Sequence, residues 1–445
     1  MYLSKYYHLC SYLKQAKMRP IVIVLMAMTS NLPRKQSWLG IPIKLGTVMS
    51  SRRFFLRKCA AGSSAVMFSG LLGACGGGGE DNAPSGNKAA GGAVAPAGNA
   101  GDNTGGGTTP GTDAWLMPDE TGPHKATWMA YGASPAIWTA TQVPQVQQAL
   151  ARIANAIVAY EPVNMLVRQD DVDNARRILD PRINLVVAAL DDLWMRDTGP
   201  VFVKNAKGDK AGVKFNFNGW GNKQVFSNDS KVADVVTRQA AVPMLATKLV
   251  LEGGGMEVDG KGTAIITESC VLNANRNPGL SKADCEAELK RLLGIRKVIW
   301  LPGIVNKDIT DAHTDFYARF VRPGVVVAHN EPDPYSYENA LTKRHLEILQ
   351  SATDADNLPL QVVTVDAPGN IRPGNDRNTF AAGYINFYVT KGAVFMPEFG
   401  DAAADAKAKS QYEQLFPGRT VVQINIDPIA AGGGGIHCTT QQEPL

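Results

Sequence analysis

The sequence is poor in charge. Only 19% of its 445 residues are Asp, Glu, Lys or Arg, and the formal net charge is +4. No Lys- or Arg-rich block with interleaved aromatics stands after residue 113, which excludes the usual footprint of a nucleic-acid-binding surface. No Gly-x-Gly-x-x-Gly follows an early strand pattern, so no dinucleotide cofactor is expected. Cysteine is scarce as well: Cys10, Cys59, Cys75, Cys270, Cys285 and Cys438 are all there is, and their spacing fits no zinc site. Cys270 and Cys285 read as buried thiols, with a bridge between them as the alternative in an oxidising compartment. What is present is an ordinary globular share of apolar residues, 44%, on a chain long enough for a sizeable core.

The first 113 residues do not read as a domain. Ser51-Arg52-Arg53-Phe54-Phe55-Leu56-Arg57-Lys58 resembles a twin-arginine export signal. The apolar run over 59–74 suits the middle of a signal and is too short and polar for a membrane span. It ends in Leu72-Gly73-Ala74-Cys75, which resembles a lipoprotein cleavage box with Cys75 as the lipid-bearing residue. Met49 lies close to the twin arginines, as an initiator should, so residues 1–48 read as an over-extended start and 49–75 as the signal. Residues 76–113 are Gly, Ala, Asn, Pro and Thr and cannot bury enough surface to offset ordering entropy; they read as a flexible linker. The expected location is periplasmic or membrane-anchored.

Residues 114–445 read as one α/β domain. Runs rich in Val, Ile and aromatics at 164–168, 184–188, 264–268, 297–301, 325–329, 361–365, 385–390 and 421–424 predict strands. Val146, Leu150, Ile153 and Ile157 share one helical face. Ser281 with Asp284 reads as a helix start, and Gly294 as that helix's end. Close strand pairs, 200–204 with 212–217 and 316–321 with 325–329, predict hairpins rather than the crossovers of a doubly wound sheet. Repeated strand–helix–hairpin units fit a ring of small α/β blades.

Four loop islands could carry chemistry. The first is 191–200, with Asp191, Asp192, Trp194, Arg196 and Asp197. The second is Glu252 before Gly253-Gly254-Gly255. The third is 308–315, in which an extended backbone would put Asp311, His313 and Asp315 on one side. That set could bind a metal, or place a general acid–base histidine among cation-binding carboxylates. The fourth is Gly432-Gly433-Gly434-Gly435-Ile436-His437-Cys438. Singly these read equally well as solvated turns, a glycine bulge, a structural histidine and a buried thiol. One chemistry uses them together without a metal or cofactor. Asp197 and Asp315 would grip a planar guanidinium through paired hydrogen bonds, Cys438 would attack its carbon, and His313 would protonate the departing nitrogen and then activate water.

Residues 115–444 resemble the agmatine deiminase group of the guanidine-modifying superfamily, which includes the bacterial peptidylarginine deiminases. The markers are Met117-Pro118-Asp119-Glu120, Pro123–Trp128, Trp194–Pro200, Asn216–Gly221, the Glu252 loop, Asn275–Pro278, the His313/Asp315 island, Tyr384–Tyr388 and the Cys438 loop. The resemblance implies a five-bladed α/β propeller. It implies Cys438 as nucleophile, His313 as acid–base, Asp197 and Asp315 as guanidinium ligands, and Glu252 and Trp194 at the substrate. The family usually has asparagine where this chain has Gly435, and an aromatic pair where it has Tyr131-Gly132-Ala133. These departures bear on the substrate's far end. The activity implied is hydrolysis of agmatine to N-carbamoylputrescine and ammonia, a small-molecule substrate; arginine in peptides, amidino transfer and non-catalytic guanidine binding are the alternatives.

Overall fold

The structure, a computed structural model, describes residues 114–445. The signal, Cys75 and the 76–113 linker lie outside the described residues. Among the described residues no helix is long and apolar enough to cross a membrane.

The described residues form five small sheets from one repeated unit, an antiparallel strand pair followed by a helix and a parallel third strand, with a fourth strand added to the first sheet. In the first sheet β1 (His124–Tyr131) leads through α1 (Gln142–Ile157) to parallel β2 (Val163–Val167), and α2 (Val172–Ile178) leads on to β3 (Asn184–Val187). The second sheet is β4 (Val201–Lys204), β5 (Lys210–Lys214), α3 (Val232–Ala240) and β6 (Met244–Ala246). The third is β7 (Met256–Val258), β8 (Thr263–Thr267), α4 (Lys282–Leu293) and β9 (Lys297–Leu301). The fourth is β10 (Ala318–Arg322), β11 (Val325–Asn330), α5 (Glu338–Ser351) and β12 (Gln361–Asp366). The fifth is β13 (Tyr388–Val389), β14 (Ala393–Glu398), α6 (Ala402–Leu415) and β15 (Thr420–Asn425). The C-terminal strand β16 (Thr440–Pro444) then returns to pair antiparallel with β1, completing the first unit with the last residues of the chain.

Local sequence accounts for most of these elements. Val146, Leu150, Ile153 and Ile157 are all fully buried on α1, the result of apolar residues recurring every three or four positions. Ser281 accepts a hydrogen bond from the Asp284 backbone N–H at the start of α4, and Gly294, at φ +69°, ends it, a left-handed conformation that glycine adopts without steric cost. Both hairpins foreseen from the sequence are present, as β4–β5 and β10–β11. One run departs from expectation. Of 385–390 only Tyr388–Val389 is strand, because the Phe387 N–H turns back to the Ile385 carbonyl. That turn aims Asn386 elsewhere.

Candidate functional site

Each sheet is entered through a short turn that precedes its first strand, and the chemical residues sit in those turns. Met195–Thr198 precedes β4, Gly253–Gly255 precedes β7, Thr314–Phe316 precedes β10, the 385–387 turn precedes β13, and His437–Thr439 precedes β16. A tight turn between a loop and a buried strand holds a side chain rigidly while leaving its tip free of the sheet.

Two of the other turns meet on Gly254. A β-carbon there would lie 2.6 Å from His313 Nδ1, 2.9 Å from Asp197 Oδ1 and 3.1 Å from Asp315 Oδ2. Only glycine leaves room for all three, which explains the Gly-Gly-Gly run after Glu252. The Gly254 N–H donates to Asp197 Oδ1 (3.1 Å), and Trp220 Nε1 donates to Asp197 Oδ2 (2.9 Å). Trp220 reaches that position with a left-handed backbone, φ +55°, a strain of the kind kept where function needs it.

Cys438 is buried, 5% exposed. Its Sγ lies 3.6 Å from Asp315 Oδ2 and receives a hydrogen bond from Asn386 Nδ2 (3.2 Å), while the Cys438 N–H donates to Asn386 Oδ1 (3.2 Å). The turn at 385–387 therefore has a purpose, to bring an amide alongside the sulfur. Gly435 makes room for it, since a β-carbon there would meet Asn386 Oδ1 at 2.3 Å. Gly432 and Gly434 likewise clear the rings of Trp138 and Trp194.

Charges are arranged in two layers. Behind Asp315, His437 bonds Asp315 Oδ2 through Nδ1 (2.8 Å) and Glu120 Oε2 through Nε2 (2.8 Å), and Glu120 is also paired with Arg196 and Arg319. Burial opposes ionisation of Asp315, but His437, His313 and Arg319 outweigh it and lower its pKa. Asp315 Oδ1 is left buried with no partner. An unpaired buried carboxylate oxygen is costly unless a ligand completes it. Behind His313, Nε2 meets Glu252 Oε2 at 3.2 Å, and Arg276 donates to both Glu252 oxygens (2.8 and 3.0 Å). Burial raises the Glu252 pKa, yet Arg276 and His313 prevail and bring it down to about 2.

His313 Nδ1 has no hydrogen-bond partner and faces Asp197 Oδ1 at 3.7 Å. Burial disfavours a charged imidazole, but Asp197, the Cys270 sulfur and Glu252 hold His313 well above its ordinary value. Asp197 itself is pushed up to about 6 by burial, aided by Asp315 and Glu252 and opposed by His313 and Trp220. Burial, Asp315 and Asp197 push the Cys438 thiol well up, against the N–H groups of Gly435 and Asn386.

A cavity of about 220 Å³ opens beside Cys438 and Asp197, lined by them and by Trp220, Trp194, Trp138, Asp192 and Gln224 among others, while His313 lines the adjoining cavity and Asp315 lies behind Cys438. Of the residues singled out from sequence, Cys438, His313, Asp197 and Asp315 are brought together, and Trp194 lines the cavity. Glu252 takes a different post from the one expected. It does not line the cavity and is fully buried between Arg276 and His313. The same-side alignment of Asp311 with His313 and Asp315 is also corrected. Asp311 and Ala312 have positive φ, +62° and +72°, so the segment is not extended, and Asp311 faces Arg276 and Lys223. Glu252, Cys270 and His313 do bring ligand atoms within 4.8 Å of one another, but Arg276 already occupies that carboxylate. Cys270 and Cys285 are separate buried thiols. Trp138 and Asn386 were given no role from sequence. Trp138 carries no local signal, whereas Asn386, the one amide within an aromatic run, could have been noticed.

A buried thiol beside two buried carboxylates and a cationic imidazole defines a hydrolase acting on the C–N bonds of a guanidinium. The chain belongs to the Porphyromonas-type peptidyl-arginine deiminase family, which it matches over residues 116–444. It is 41% identical over 336 residues to a Streptomyces coelicolor protein provisionally described as an agmatine deiminase, covering 74% of this chain and 98% of that one. It is 37% identical over 360 residues to the agmatine deiminase of Pseudomonas fluorescens, covering 76% and 97%. Its fold superposes on the structure of Enterococcus faecalis agmatine deiminase with a TM-score of 0.71 at 34% identity, covering 76% of this chain and 98% of that one.

Proposed function

We propose that the protein hydrolyses agmatine to N-carbamoylputrescine and ammonia through a covalent intermediate on Cys438. The observation that carries this reading is the cavity lining. Its ionisable side chains are Cys438, Asp197 and Asp192, with no lysine or arginine among them. Such a wall favours a substrate cationic at both ends and offers nothing to the carboxylate of free arginine. Relatives 37–41% identical carrying the agmatine deiminase name support it.

In this reading Asp197 and the free Oδ1 of Asp315 hold the guanidinium plane. Arrival of the cation offsets the two carboxylates that disfavour the thiolate, so Cys438 releases its proton to solvent with substrate in place. The sulfur adds to the guanidino carbon, His313 gives its proton to one –NH2 group, and ammonia leaves a thiouronium. His313, now neutral, takes a proton from water, whose oxygen adds to the same carbon. Collapse expels the sulfur, which takes up the hydroxyl proton as the Cys438 thiol, and leaves the ureido product with His313 protonated again. Glu252 orients His313 and supports its charge.

The finer architecture belongs to the same proposal. Five equivalent units, each supplying its entry turn to one site, and a last strand that joins the first sheet, fit five blades around a central axis. We also infer export by the twin-arginine route, with Cys75 lipidated and residues 76–113 as tether; Cys75→Ala should release the protein from membranes.

A second reading has its own support. A cavity of about 670 Å³ shares Ile309, Thr310 and 431–433 with the catalytic one, more room than agmatine needs, and an exported enzyme would meet peptides. Ammonia and ureido product measured with agmatine, free arginine and a blocked arginine peptide decide between them. Turnover of agmatine is expected; activity on the peptide alone overturns the first reading. Cys438→Ala should remove turnover by at least about 10³-fold with the fold intact.

A further inference from the structure

Asp192 is the one ionisable group of the catalytic cavity that the reaction does not use. It is 2% exposed. Its Oδ1 accepts from Trp138 Nε1 (2.7 Å), and its Oδ2 from Trp194 Nε1 (2.9 Å) and Gln224 Nε2 (3.0 Å). All three donors are neutral, and no salt bridge to Asp192 forms among the described residues. The Asp192 and Asp191 backbone N–H groups both donate to the carboxylate of Asp229, which burial pushes up to about 8 and which brings no counter-charge. A buried carboxylate held by neutral donors alone is left short of a counter-charge, and a protein rarely tolerates that without a purpose. The three donors are themselves cavity-lining residues. They fix the carboxylate in the wall through their N–H groups, and the indoles of Trp138 and Trp194 lie with ring centroids 6.3 Å apart, aromatic surface of the kind that attracts a cation.

We propose that Asp192 is the receptor for the cationic far end of the substrate and sets the preference for a guanidine bearing a distal ammonium. This deepens the agmatine reading and rests on it. A substrate ending in a carboxylate would meet Asp192 as a like charge, and one ending in a methyl group would leave it unpaired.

The test compares agmatine with n-butylguanidine, which has the same chain and guanidinium and lacks the amine. Wild-type protein should favour agmatine in kcat/KM. Asp192→Asn should lower kcat/KM for agmatine at least about tenfold, mainly through KM, the cost expected for a charge-assisted contact. It should leave butylguanidine within about threefold, because the group it loses touches only the tail. Equal losses on both would mean that Asp192 merely props the indoles, and would overturn the proposal. So would wild-type protein with equal kcat/KM for the two, a result that needs no variant. The same pair is read as Kd by calorimetry on Cys438→Ala protein with and without Asp192→Asn. If that ratio collapses on substitution while the active protein leaves agmatine unhydrolysed, the tail receptor stands and the assigned reaction fails.

Discussion

Cys438 is held neutral by the same acids that would grip its substrate. Burial, Asp315 and Asp197 all favour the thiol, so in the proposed reaction the anion would form only with the substrate cation in place. Asp197 is the titrating partner, pushed up to about 6. Below that value it takes a proton and loses its grip, so kcat/KM should fall on the acid side of about pH 6. Trp220 Nε1 donates to Asp197 and favours its ionised form. Trp220→Phe removes that donor, so the Asp197 pKa should rise and the acid limb of kcat/KM should move to higher pH. A limb that stays in place would show that Trp220 only fills space.

The entry turns, rather than the strands, decide the geometry. Gly254 lies between His313, Asp197 and Asp315 with no room for a methyl group. Gly254→Ala should cost at least about 10²-fold in kcat, the scale set by small misplacements of reacting groups, with far-ultraviolet circular dichroism unchanged. Retained kcat would mean that the three groups shift without consequence. This level was half legible. The hairpins, α1 and the ends of α4 follow from apolar spacing and capping residues. The path of 311–315 does not, because Arg276 and Lys223 pull Asp311 out of an extended course. Those cations come from distant turns of the chain. Asn386 likewise leaves an expected strand for Cys438, 52 residues on.

At the scale of the molecule, the C-terminal strand ties the first sheet to the turn and strands of the second. All five residues of β16 are buried; Gln442 accepts from Arg196 (2.7 Å), and Glu443 accepts from Trp128 (3.1 Å) and Lys210 (3.0 Å). Ending the chain after Thr439 keeps Cys438 but strips β1 of its antiparallel partner, leaves Trp128 Nε1 without its acceptor and takes from Arg196 its Gln442 contact, a loss of several buried polar contacts at once. The truncated protein should be insoluble or melt well below the full chain by calorimetry. A Tm within about 2 °C would show the strand to be dispensable.

The sequence by itself determined the α/β class and the two hairpins and singled out Cys438, His313, Asp197 and Asp315 as candidates, because periodicity, turn chemistry and motif order are written locally. Tertiary structure alone decided the company each one keeps. Glu252 went behind His313 because Arg276 claimed both its oxygens, Asp192 was left without a cation because only indoles and an amide reached it, and Gly254 became a meeting point because the separated turns of Asp197 and of His313 and Asp315 come together on it. Such pairings join residues far apart in the chain, and no local pattern encodes which buried charge finds a partner.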